Sequence, residues 1–138
     1  MKETRVSDCE LITLPQIHTD AGDITAINNK LNIPFEIKRI YYLYDIPNRA
    51  DRGGHSHKAL HQLVVAISGS FNIELFDGFI STTYTLNQPD QGLLIVPGIW
   101  RNLNHFSGGA ICLVLASHEY EEEDYIRDLQ SFKQIKIG

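Results

Sequence analysis

The stretch 52-RGGHSHKALH-61 carries three of the six histidines in the chain, and the apolar run 63-LVVAI-67 follows directly. In an extended strand, side chains alternate between the two faces. His55 and His57 therefore share a face, and an unbroken strand would place His61 on it too. A row of imidazoles beside a run that must be buried is not an ordinary surface pattern, because burying polar rings without partners costs free energy. The stretch reads as a strand that brings histidines to a site. They would serve there as metal ligands or as acid/base groups.

Working outward, the flanking sequence breaks into short segments rich in Ile, Val, Leu, Tyr, Phe and Thr, separated by Gly, Pro, Asn and Asp. Strands are expected over 10–14, 22–28, 36–44, 55–69, 70–78, 79–86, 92–97, 99–106 and 110–117. Their spacing points to an all-β sandwich or barrel. Asp77-Gly78 between two apolar runs marks a hairpin. Alternation in 41-YYLY-44 puts the Tyr42 and Tyr44 rings in the core. One helix is expected, over 121–132. Acids open it, and Tyr125, Ile126, Leu129 and Phe132 form one apolar stripe. The acids Glu121 to Asp124 read as a solvated first turn.

The 138 residues fit a single domain, 1–138, long enough for a core of its own. A net charge of −5 argues against a nucleic-acid partner, which needs a basic surface. Cys9 and Cys112 are isolated thiols, not a disulfide framework or a zinc knuckle. The N-terminal MKETRVSDCE lacks the apolar core of a signal peptide, and no apolar run is long enough to span a bilayer. The expectation is a cytoplasmic protein with no membrane partner.

The motifs resemble those of the cupins. The first cupin motif is G-x5-H-x-H-x3-E, and a second, G-x5-P-x-G-x2-H, follows it. Here His55-Ser-His57 is followed by His61 at the Glu position, and Gly92-LLIV-Pro97-Gly98 leads to Trp100-Arg101 where the last histidine would fall. The resemblance implies a double-stranded β-helix, or jelly roll, with a short C-terminal helix. In metal-binding cupins, the H-x-H pair, the Glu and the final His hold one divalent ion. Neither Trp100 nor Arg101 can ligate a cation, and Arg101 would repel one. Two readings stay open. Either His55, His57 and His61 form a three-His site for Zn or Fe, or the H-x-H pair performs acid/base chemistry without metal or other cofactor.

Over nearly its whole length the chain also resembles the sugar-nucleotide 3,4-ketoisomerases of the cupin superfamily. The matching stretches are 34-PFEIKRIYYLYDIP-47, 52-RGGHSHKALHQLVVAISGSFNIELFDG-78, 97-PGIWRNLNHFSGGAICLVLAS-117 and 120-YEEEDYIRDLQSF-132. The resemblance implies homodimers that act on dTDP-4-keto-6-deoxyglucose, on the way to 3-amino-3,6-dideoxyhexoses of surface polysaccharide. It implies no metal. Within it, His55 is the leading base and His57 its partner in proton transfer, two roles that histidine suits at neutral pH. Tyr41 would donate to the oxyanion or contact the sugar. Arg39 and Arg52 would hold the pyrophosphate, and Trp100 and Arg101 would meet the sugar. The chain departs from the family pattern at His61, where Glu is common, and at Ala21, where a larger side chain is often found. Rival readings are a dTDP-sugar 3,5-epimerase-like enzyme, a three-His metal cupin, and a sugar-binding cupin without catalysis.

Overall fold

The computed structural model describes residues 1–47 and 49–138. In chain order, the strands are β1 (Glu10–Thr13), β2 (Ile17–Thr19), β3 (Gly22–Ile24), β4 (Arg39–Leu43), β5 (Arg52–His57) and β6 (Gln62–Ser68). They continue with β7 (Phe71–Phe76), β8 (Ser81–Leu86), β9 (Gln91–Ile95), β10 (Trp100–Asn104), β11 (Ile111–Ala116) and β12 (Tyr125–Ile126). Among the described residues there is one α-helix, α1 (Leu129–Ile137), after the last strand. Two five-stranded antiparallel sheets form, in the orders β1-β9-β6-β11-β4 and β12-β5-β10-β7-β8. A small β2-β3 hairpin stands apart from both. This is the expected all-β jelly roll with a C-terminal helix.

The sheets pack face to face over one apolar core that draws Val64, Leu93 and Val114 from the first and Phe71, Ile73 and Leu103 from the second. The uninterrupted apolar run that follows the histidines has a simple cause. β6 is central, and residues 62–66 are buried on both of its faces. Val64 and Ala66 point into the core. Leu63 and Val65 point outward, beneath a strap that contributes Ile33 and Phe35. The outer face of the second sheet is covered by α1, where Trp100, Ile126 and Phe132 pack together.

Asp77 fixes the turn between β7 and β8. Its carboxylate accepts from the backbone N–H groups of Phe79 and Ile80, each at 2.8 Å, and from Val6 N–H at 2.9 Å. It thereby ties the N-terminal segment to the hairpin that 77-DG-78 announces.

Several elements differ from expectation. The strand expected over 55–69 is two strands, β5 and β6, with a turn at 58–61 between them. Asp124 holds that turn: its carboxylate accepts from Ala59 N–H at 2.8 Å, and its carbonyl accepts from Lys58 N–H at 2.9 Å. His61 is therefore off the strand that carries His55 and His57. The helix expected over 121–132 begins at Leu129, not Glu121. The acids form a 3-10 turn at Glu122–Asp124, and Tyr125 and Ile126 pair with β5 as a short strand. Asp128 is the actual helix cap, accepting from Ser131 N–H at 2.9 Å. Near the N-terminus, the strand expected over 22–28 shortens to Gly22–Ile24.

Tyr42 and Tyr44 are not core residues. They are 59% and 62% exposed, because the inward register of β4 belongs to Arg39, Tyr41 and Leu43.

Candidate active site

Between the two sheets lies a cavity of about 590 Å³, lined by Arg39, Tyr41, Arg52, His55, Gln62, Arg101, Tyr125 and Arg127 among others. Its floor is set by a close approach of two strands. The pairing of β5 with β10 slips at Arg101/Asn102, and His55 faces Arg101 across it. Gly53 makes the slip possible. It has φ +101°, and a Cβ there would sit 2.9 Å from the Arg101 carbonyl oxygen.

Arg101 is 2% exposed, and among the described residues it has no carboxylate within ion-pair distance. Its Nη1 donates to Gln62 Oε1, its Nη2 donates to the Ile99 carbonyl at 3.0 Å, and its Nε is buried without a partner. Burial lowers its pKa to about 10, so it is still a cation at neutral pH. Gln62 in turn donates from Nε2 to the Tyr41 hydroxyl at 3.2 Å.

The histidine rings sit edge to face, with centroids 4.9 Å apart, and Tyr125 packs on both, at 5.1 Å from His55 and 4.4 Å from His57. His55 opens on the cavity, whereas His57 lies behind it, 1% exposed. Burial and then the Arg101 guanidinium pull the His55 pKa down to about 4. The same two causes, in the same order, push His57 down as well. Both rings are therefore neutral at pH 7 and able to accept a proton. Below the unfolded value of about 6.5, the unfolded chain takes up protons that the folded pair refuses. The pair thus lowers stability as pH falls from there, and the His55 share levels off near its folded value of about 4.

Asp124 decides which nitrogen of His57 is bare. Its Oδ2 lies 3.0 Å from Nδ1. A carboxylate only accepts, so the single N–H of the neutral ring is on Nδ1. Nε2 is then an unprotonated base, buried and without a partner among the described residues.

Three guanidiniums rim the cavity. Arg39 lies between the rings of Tyr41 and Tyr120, at 4.6 and 5.2 Å. Arg127 lies 4.1 Å over Tyr125 and is held by Glu122 through bonds of 2.7 and 3.0 Å. Arg52 lines the same opening.

The cavity thus brings together Arg39, Tyr41, Arg52, His55 and Arg101, with His57 directly behind. Trp100 is not with them. By alternation along β10 it points outward, where it packs on Phe132 at 5.6 Å, so the expected contact with the sugar gives way to a role beneath the helix. His61 lies beyond the turn, with its ring 6.3 Å from Phe35. The three-His arrangement therefore does not form, and among the described residues no three His, Cys, Asp or Glu side chains converge in a metal-binding group.

Sequence reasoning missed Gln62, Asp124, Tyr125 and Arg127. The segment that carries Asp124 to Arg127 was read with a helical period, and no local signal marked it otherwise: Tyr125 and Ile126 form a two-residue strand paired with β5, preceded by the 3-10 turn that ends at Asp124. Gln62 had a signal, as the one polar residue at the head of a run that is buried as far as Ala66.

Comparison with known proteins is consistent with this geometry. Residues 7–137 match the family described as FdtA: WxcM-like, C-terminal, and the chain belongs to that family. It is 40% identical over 125 residues to the TDP-4-oxo-6-deoxy-alpha-D-glucose-3,4-oxoisomerase of Aneurinibacillus thermoaerophilus, covering 91% of this chain and 90% of the relative. A variant of the 3,4-ketoisomerase QdtA from Thermoanaerobacterium thermosaccharolyticum, solved in complex with TDP-4-keto-6-deoxyglucose, superposes with a TM-score of 0.90 at 39% identity over 91% of each chain. The TDP-quinovose 3,4-ketoisomerase WlaRB of Campylobacter jejuni gives 0.89 at 41% identity, over 92% of this chain and 98% of that one.

Long-range ¹H–¹⁵N NMR at pH 7 is expected to show His57 protonated on Nδ1 and bare on Nε2. Asp124→Asn, whose amide can either donate or accept, should populate the opposite tautomer and lower turnover. A wild-type His57 carrying its proton on Nε2 would contradict the assignment.

Proposed function

We propose that the chain is a sugar-nucleotide 3,4-ketoisomerase that moves the carbonyl of dTDP-4-keto-6-deoxyglucose from C4 to C3. The observation that carries this reading is a pair of neutral imidazoles beside a buried, unpaired guanidinium, at a cavity rimmed by arginines. The family relatives act on, or are bound to, TDP-linked keto sugars, which supports the substrate.

The residues suit each step. The C4 ketone acidifies the C3 hydrogen. His55, which opens on the cavity, removes that hydrogen as a proton, and the electron pair forms the C3=C4 bond of an enediolate. Negative charge gathers on O4, where Tyr41 donates a hydrogen bond and the field of Arg101 stabilises it. The O3 proton passes to O4 by way of the site. A proton is then delivered to C4, and the C3 carbonyl forms. His57, with Nε2 bare and Nδ1 held by Asp124, takes part in the return transfer. Arg39 and Arg52 bind the pyrophosphate with paired hydrogen bonds, and Arg127 joins them at the rim. All these steps are proton transfers between the sugar and this chain's own side chains. In the cell, the 3-keto product would feed an amino-transfer step toward a dTDP-3-amino-3,6-dideoxyhexose.

We further propose a homodimer, as the family resemblance implies. The surface that suits it is the outer face of the β4 edge, where Ile40, Tyr42 and Tyr44 are 58–62% exposed beside an apolar groove that also takes in Ile67 and Leu113. The β2-β3 hairpin buries none of its strand residues, and a two-stranded hairpin is marginal alone, so it needs another surface to rest on.

Two measurements test these readings. Incubation with dTDP-4-keto-6-deoxyglucose in D₂O, followed by proton NMR, is expected to show loss of the C3 proton signal, deuterium at C4 and a 3-ketone. The coupling around C4 would then name the product. Inversion at C3 and C5 with the ketone still at C4 would instead make the chain an epimerase, and absence of exchange would leave only binding. Light scattering of the purified protein should give twice the chain mass, and Tyr42→Glu with Tyr44→Glu should halve it. A monomeric wild type would overturn the dimer.

A further inference from the structure

The chain Arg101–Gln62–Tyr41 has only one possible polarity. A guanidinium only donates, so the Gln62 atom facing Arg101 is Oε1. The other end of the amide, Nε2, is donor-only and faces the Tyr41 hydroxyl at 3.2 Å. Tyr41 must therefore accept from Gln62. A phenolic hydrogen lies near the ring plane in one of two positions, and the Gln62 N–H occupies one of them. The Tyr41 hydrogen is left with the other. Among the described residues the Tyr41 hydroxyl has no further hydrogen-bond partner, and Tyr41 lines the cavity.

We infer that Gln62 is a positioning residue that, locked by Arg101, turns the Tyr41 O–H toward the substrate and keeps it a donor to the oxygen that becomes negative. This rests on the isomerase reading above, in which that oxygen is O4. Burial makes the device rigid. Gln62 is 3% and Arg101 2% exposed, and the amide cannot flip without setting N–H groups against N–H groups at one end. The Ile99 carbonyl holds the guanidinium from its other side at 3.0 Å. Gln62 itself does not act on the substrate. Its effect is to remove one of the two orientations open to the catalytic hydroxyl before the substrate arrives, which is preorganisation of the transition-state donor.

The test exploits the fact that the more conservative substitution does the greater harm. Gln62→Glu keeps shape and gives Arg101 a full carboxylate, so the melting temperature should hold or rise. Its oxygens, however, accept from both neighbours, and the Tyr41 hydrogen swings away from the cavity. We expect kcat to fall on the order of 10²-fold with KM little changed. Gln62→Met removes both bonds and frees the hydroxyl to rotate, so it should cost less than Gln62→Glu. A purely structural role predicts the reverse order and would overturn the inference. With Tyr41→Phe in place, Gln62→Met, which leaves Arg101 without a carboxylate, should cost nothing further; additive losses would contradict the relay. A readout that needs no turnover separates this inference from the function itself. The tyrosine Fermi doublet, in Raman difference spectra against Tyr41→Phe without substrate, should report Tyr41 as an acceptor in the wild type and as a donor in Gln62→Glu. A donor signature in the wild type sinks the relay even if the isomerase is active, and an acceptor signature upholds it even if the reaction proves to be another.

Discussion

The site depends on one cation with nowhere to discharge. Removing a guanidinium from water costs several kcal/mol even after relaxation, and a carboxylate partner usually offsets it. Arg101 has an amide and a carbonyl instead, with one N–H left free. That arrangement makes little sense as a stability device. It makes sense as a fixed positive charge beneath a cavity where negative charge is to develop. After burial, the same charge is the next cause that lowers the affinity of both histidines for protons and keeps the rings unprotonated, and through Gln62 it sets the orientation of Tyr41.

The fold supplies this charge by a local irregularity rather than by its regular ladder. The slip in pairing between β5 and β10 needs the absence of a Cβ at Gly53, and it sets His55 against Arg101. The rest of the barrel holds that contact still. β6 is packed on both faces and presents Gln62 at its end, β4 presents Tyr41, and α1 shields the back of β10 through Trp100 and Phe132. The C-terminal segment then reaches across to complete the dyad, with Asp124 on His57 and Tyr125 against both rings.

Much of this was legible in the residues. Alternation alone placed His55 and His57 together. The Pro97-Gly98 turn located Arg101 where a metal-binding relative would have a histidine. The failures have physical causes. Residues 55–69 read as one strand because nothing local marks the turn at 58–61, which is held by a carboxylate 65 residues downstream. Residues 121–126 read as helix because their composition favours it, while strand pairing with β5 and the bond to His57 override that preference. Trp100 looked like a platform for the sugar, but one step of alternation turned it to the other face. Alternation put Tyr42 and Tyr44 on the inward face, yet the inward register of β4 belongs to Arg39, Tyr41 and Leu43.

If Arg101 governs the site, its charge must be visible in the histidines. The direct measurement is the imidazole titration of His55 in the wild type and in Arg101→Met, an apolar replacement of similar length that leaves the fold its packing. The account predicts a wild-type value near 4 that rises toward the ordinary histidine range once the guanidinium is gone. A value that stays where it was would mean that burial alone sets the pair, and that the cation beneath the cavity does not act on these histidines.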